Sequence, residues 1–130
     1  MIVVDTSVWI AYLRRGDPEI LVPFNRLLDD DRVVLPAIVR LELTTGTGPK
    51  YVARLNSLLD GVHGLLPEVA DWRHAQALAL AGAMRGERFG AADLLIAAAA
   101  ARGGMPIWSH DSDFERMEKL GFCQVWRPPK

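Results

Sequence analysis

Five acidic residues could do chemistry together if the fold gathered them: Asp5, Glu42, Asp93, Asp111 and Asp113. Each lies against apolar sequence. Asp5 ends the run Ile2-Val3-Val4, and Glu42 interrupts the segment from Pro36 to Thr45. Asp93 heads the alanine-rich run Leu94 to Ala101, and Asp111 and Asp113 follow Pro106-Ile107-Trp108. Burying a carboxylate is costly unless something compensates it. Two unit charges about 4 Å apart repel by about 4 kcal/mol at an effective dielectric of roughly 20. A gathered set therefore calls for a divalent cation. The donors are oxygens, which suits Mg2+ or Mn2+. With one cysteine and no His-x-x-x-His spacing, nothing favours zinc. Hard cations held by a few carboxylates keep positions open for water and phosphate oxygens, and they stabilise in-line displacement at phosphorus. Phosphodiester hydrolysis is the natural use of such a set.

The elements that must position these acids follow from pattern. Residues 2–4 read as a short, β-branched, fully buried strand. Thr6 or Ser7 then caps a helix from Val8 to about Arg14. After the break Gly16-Asp17-Pro18, the spacing of Ile20, Leu21, Phe24, Leu27 and Leu28 predicts a helix to about Asp29. Arg32 to Leu35 reads as a second strand, and Pro36 opens a helix ending near Gly46. Tyr51, Leu55, Leu58 and Leu59 mark a fourth helix, and Val62 to Leu66 a third strand. Helices are predicted over Val69 to Met84, Ala91 to Arg102 and Phe114 to Leu120. Further strands are predicted over Pro106 to Ser109 and Phe122 to Trp126, with residues 127–130 a frayed tail. Strands alternating with helices imply one three-layer α/β/α domain over residues 1–130 with a mostly parallel sheet. In such sheets ligands gather beyond the carboxyl ends of the strands, where Asp5 and Asp111 fall.

Composition excludes little else. Of 130 residues, 50% are hydrophobic and 24% charged, an ordinary globular balance. The formal net charge of −1 lacks the basic excess of many nucleic-acid binders, though an acidic metal cluster would itself lower the charge. Cys123 has no partner for an internal disulfide. The opening residues are not expected to be a signal peptide, and the most apolar stretch, Phe89 to Ala101, is too short and polar to span a bilayer. The expectation is a cytoplasmic protein with no membrane association.

The chain resembles PIN-domain nucleases. The resemblance rests on Asp5-Thr6-Ser7 after a first strand, Glu42 in Arg-Leu-Glu-Leu, Asp93 in Ala-Ala-Asp-Leu-Leu-Ile-Ala-Ala, and the late Ser-His-Asp-Ser-Asp-Phe. Small size makes it most similar to the VapC-type toxins of toxin–antitoxin pairs, and the likeness runs from Met1 to about Phe122. It implies an endoribonuclease dependent on Mg2+ or Mn2+, a VapB-like antitoxin that blocks the site, and a homodimer. It implies that Asp5, Glu42, Asp93 and Asp111 occupy the acidic metal-site positions, with Asp113 as companion acid. Whether Asp111 or Asp113 binds metal directly stays open. Asp5, Asp93 and Asp111 are the expected cation holders, and Glu42 the group that orients or deprotonates the attacking water. Thr6 or Ser7 falls on a hydroxyl position that helps place metal or substrate.

Each motif also has a plainer reading. Asp5-Thr6-Ser7 can cap a helix, Asp93 can be an N-terminal helix charge, Glu42 an exposed acid, and Asp111 and Asp113 caps for the helix at Phe114. Asp29-Asp30-Asp31 reads as a solvated turn, and His63 and His74 as surface or capping residues. Arg85 and Arg88 could contact RNA phosphates or line a solvated loop; Lys50 and Arg54 share that ambiguity. Trp9, Tyr12 and Leu13 read as core, with any exposed part of the stripe open to an antitoxin helix. Three rival functions fit parts of the pattern: a Mg2+-dependent phosphotransfer domain, a non-catalytic RNA- or protein-binding module, and an RNA-processing nuclease without an antitoxin.

Overall fold

The computed structural model describes residues 1–130. Four strands, β1 (Ile2–Val4), β2 (Val33–Pro36), β3 (His63–Leu65) and β4 (Ile107–Trp108), form one sheet in the order β3-β2-β1-β4. All three pairings are parallel. Both faces of β1 and β2 are buried, which is why their sequences are apolar throughout rather than alternating.

Seven α-helices connect and follow the strands: α1 (Thr6–Leu13), α2 (Pro18–Asp29), α3 (Ala37–Thr45), α4 (Val52–Leu59), α5 (Val69–Ala83), α6 (Ala91–Arg102) and α7 (Ser112–Lys119). A 3-10 turn at Pro49–Tyr51 leads into α4. The chain steps outward from β1 to β2 to β3, then crosses back to β4. Right-handed crossovers therefore put α1–α4 on one face and α5 and α6 on the other. The packing agrees: α1 lies against α2 and α3, α3 against α4, and α6 against α5 and α7. The strand order reverses between β1 and β4, so their carboxyl ends form the cleft where such sheets place ligands.

An aromatic knot holds α1 and α2 to the sheet. Phe24 stacks on Tyr12 at 4.0 Å and meets Trp9 edge-on at 4.8 Å. Trp9 and Tyr12 are core as expected, but Leu13 and Ile10 lie on the exposed side of α1. Asp29, Asp30 and Asp31 are exposed, and Asp31 takes a left-handed φ of 56°. His63 faces solvent and pairs with Asp31 at 3.0 Å; His74 is exposed.

The structure differs from expectation at element ends. Helix α1 starts at Thr6 with Asp5 at its N-cap, and no side chain caps it. The Asp5 carboxylate is turned toward hydroxyl partners instead. Helix α7 starts at Ser112, because the Asp111 side chain accepts from the Asp113 N–H and so caps it two residues before Phe114. The strand expected over Phe122 to Trp126 shrinks to a single parallel bridge between Val125 and Ile107. Two backbone bonds make it: Ile107 N–H to the Gln124 carbonyl and Trp126 N–H to the Ile107 carbonyl, both 2.8 Å. β4 itself has only two residues, so there is nothing longer to pair with.

Candidate active site

The cleft assembles from the strand ends outward. The Asp5 N–H donates to the Trp108 carbonyl at 2.9 Å, fastening the end of β1 to the end of β4. Asp5 is buried, 6% exposed. Its Oδ2 accepts from Ser109 Oγ at 2.7 Å and from Ser7 Oγ at 3.1 Å. Each hydroxyl in turn accepts a backbone N–H from the loop after β4: Asp111 N–H to Ser109 Oγ and His110 N–H to Ser7 Oγ, both 2.9 Å. One small network thus fixes the Asp5 carboxylate and the path of the chain toward Asp111.

Asp111 caps α7 and Asp113 lies in its first turn. Asp93, third residue of α6, comes in from the preceding helix. One carboxylate oxygen from each of Asp93, Asp111 and Asp113 lies within 4.8 Å of the others. Glu42 projects from α3, exposed, with Oε1 accepting from Thr6 Oγ1 at 2.9 Å.

Electrostatics tie all five acids together. The Asp93 carboxyl is pushed up to about 7, chiefly by burial and then by the charges of Asp5, Asp111, Asp113 and Glu42. A helix N-terminus ordinarily favours the charged form of a carboxylate. Here desolvation and four negative neighbours outweigh the dipole.

The oxygen-only donor set, crowded enough to raise the Asp93 carboxyl well above its ordinary value, fits a hard dication such as Mg2+ or Mn2+. The four expected acids and Asp113 converge on the cleft. Thr6 and Ser7 both reach it, Thr6 on Glu42 and Ser7 on Asp5. Arg85 and Arg88 are exposed on the turn between α5 and α6, and neither guanidinium forms an ion pair. His110 contributes only its backbone N–H.

Two residues at the site carried no role in the sequence reading. Ser109 orients Asp5, and its position at the end of β4 was the available signal. Arg116 pairs with Asp113 at 2.6 Å. The i,i+3 spacing on one helix face could have found that pair.

The PIN domain profile matches residues 2–120, so the chain belongs to the PIN-domain family. Within that family it is similar to VapC proteins. It is 30% identical over 130 residues to Ribonuclease VapC11 of Mycobacterium tuberculosis, with 96% of this chain and 97% of the relative covered. Among solved structures it is similar to FitAB bound to an IR36 DNA fragment, at TM-score 0.80 and 25% identity over 98% of this chain and 95% of that one. It is likewise similar to VapBC-5 of Mycobacterium tuberculosis, of the VapBC family of toxin–antitoxin systems, at TM-score 0.69 and 27% identity over 96% of each chain. No helix is long and apolar enough to cross a membrane.

Proposed function

We propose that this protein is the toxin of a toxin–antitoxin pair, an endoribonuclease that uses Mg2+ or Mn2+ to hydrolyse RNA phosphodiester bonds. The 130 residues act as one domain, as a homodimer in the cytoplasm, and a VapB-like antitoxin holds the toxin inactive until released. The observation that carries this reading is the convergence of Asp93, Asp111 and Asp113 within 4.8 Å beside Asp5 and Glu42. Support comes from the relative named as a VapC ribonuclease and from the similarity to VapBC complexes.

Asp5, Asp93 and Asp111 would hold the cation, directly or through water. A bound dication supplies charge stabilisation at the phosphoryl oxygens and makes a bound water more acidic. Ser109 and Ser7 keep the Asp5 oxygen aimed into the cleft. Glu42, held by Thr6, orients the attacking water or takes its proton. Arg85 and Arg88, on the exposed turn before α6, meet RNA phosphates. The test is incubation of antitoxin-free protein with a mixed RNA pool in Mn2+ and, separately, in EDTA. Products that appear only with the metal and vanish in Asp93→Asn are expected. RNA left intact with Mn2+ would refute the nuclease reading.

A further inference from the structure

Arg116 is the one cation built into the acidic cleft, and its geometry is specific. Its Nη2 donates to Asp113 Oδ1 at 2.6 Å and to the Arg88 carbonyl at 3.4 Å, while Nη1 pairs with Glu87. The guanidinium also lies 4.6 Å from the centroid of the Phe89 ring. Phe89 packs edge-on against Phe122 and sits where a side chain at Gly82 would come within 3.3 Å of it. The turn between α5 and α6 therefore anchors this arginine from two sides. Asp113 is the only member of the close carboxylate trio that has a cationic partner.

We propose that Arg116 is a positioning residue: by clamping Asp113 to the Glu87–Phe89 turn, it keeps that carboxylate from closing onto a cation held by Asp5, Asp93 and Asp111. This rests on the metal-dependent reading above and deepens it. A carboxylate within 4.8 Å of two others is an available further ligand. If it closed on the cation, it would add charge and fill a coordination position that a substrate phosphate oxygen needs. The Asp113–Arg116 pair leaves the site with fewer protein ligands, weaker cation affinity and room for RNA. A lysine would keep the charge but could not span Glu87, the Arg88 carbonyl and Asp113 together.

The experiment measures Mn2+ binding to the antitoxin-free chain, followed by the spectroscopic signal of free Mn2+, beside RNA cleavage kinetics. Arg116→Gln is expected to bind Mn2+ about fivefold more tightly, the size of a partly solvated charge removed near the site. The same variant is expected to lose about tenfold in kcat/KM, as a disturbed partner of a metal ligand does. Opposite movement of the two readouts is the signature, because general loosening of the fold weakens both. Arg116→Lys keeps the charge but not the three-point hold, so it is expected to bind Mn2+ more tightly than the parent, though less so than Arg116→Gln, and to recover only part of the activity. If Arg116→Gln does not fold, the lysine variant decides: full activity there overturns the clamp. Weaker or unchanged Mn2+ binding in a folded Arg116→Gln overturns it too. A parent protein that neither binds Mn2+ nor cleaves RNA would instead remove the underlying metal-nuclease reading, and the clamp with it.

Discussion

Asp71 and Asp93 occupy the same place on two adjacent helices, each the third residue from the start. Their surroundings are opposite. Asp71 is 2% exposed and closes a capping box with Glu68, accepting the Glu68 N–H at 2.8 Å. Both its oxygens also accept from Arg102 Nε, at 2.9 and 3.0 Å. That arginine, with the Glu68 N–H, holds the Asp71 carboxyl below its ordinary value despite burial. Asp93 has no such partner and faces four other acids, so its carboxyl rises to about 7. Helix position thus sets neither charge state. What separates the two aspartates is whether the fold supplies a cationic partner, as Arg102 does for Asp71, or only further acids, as around Asp93.

The sharpest way to break this contrast is to neutralise each aspartate in turn. Asp93→Asn is expected to lower metal-dependent cleavage by at least about a hundredfold, as removal of a group central to charge stabilisation does. It should leave the cation-free protein folded and, at pH 8, raise its melting temperature by about a few degrees, because repulsion is relieved. Cleavage assays and thermal melts in EDTA check both halves. A lower melting temperature would mark Asp93 as structural and erase the distinction from Asp71.

Asp71→Ala should do the reverse. It removes the capping box and strands Arg102, whose side chain is one-third exposed and rehydrates readily. A loss of about 1–2 kcal/mol is expected, the scale of a helix cap and a surface-accessible ion pair together. Denaturant unfolding measures it. Cleavage below the melting range should stay within about twofold of the parent, since Asp71 sits outside the site.

The pH dependence sharpens the same comparison. A carboxyl whose folded pKa is raised contributes stability that is complete below its unfolded value near 3.8 and lost as pH climbs through about 7. A carboxyl whose folded pKa is depressed contributes stability present above that ordinary value and lost as acid protonates it in the folded protein. The cation-free protein should therefore lose stability between about pH 4 and 7 because of Asp93, and below about pH 4 because of Asp71. Asp93→Asn should flatten the first slope only, and Asp71→Asn the second only. Melting temperatures across pH 3 to 9 in EDTA test the separation.

The parts of this arrangement visible in the sequence were those encoded locally. Ile2-Val3-Val4 and Val33 to Leu35 are β-branched, apolar runs, and both are buried strands. The acids stood out because a carboxylate embedded in apolar sequence needs a reason. β3 was harder to read: His63-Gly64-Leu65 has little strand character and is fixed by pairing with β2. The last strand was over-read, because apolar residues from Phe122 to Trp126 pack on the core without extending a ladder. Asp71 was invisible because its partner lies 31 residues away and only the packing of α5 on α6 joins them. Arg116 was missed for a different reason. Its pairing with Asp113 is local, but its hold on Glu87 comes from the turn before α6.

A third aspartate tests how far the contrast extends. Asp5 is buried like Asp71 and belongs to the acidic cleft like Asp93, yet its partners are neutral hydroxyls. Hydroxyls stabilise a carboxylate by hydrogen bonding without cancelling its charge, so Asp5 stays oriented and still available to a cation. Ser109→Ala removes the shorter of the two bonds and also the acceptor for the Asp111 N–H. The expected cost is about 1 kcal/mol of stability and a few-fold drop in cleavage, smaller than the effect of Asp93→Asn. Ser109→Thr keeps the hydroxyl and should restore cleavage if orientation of Asp5 is what matters. A threonine variant as impaired as the alanine one would mean that space at the end of β4, rather than the hydrogen bond, governs the site.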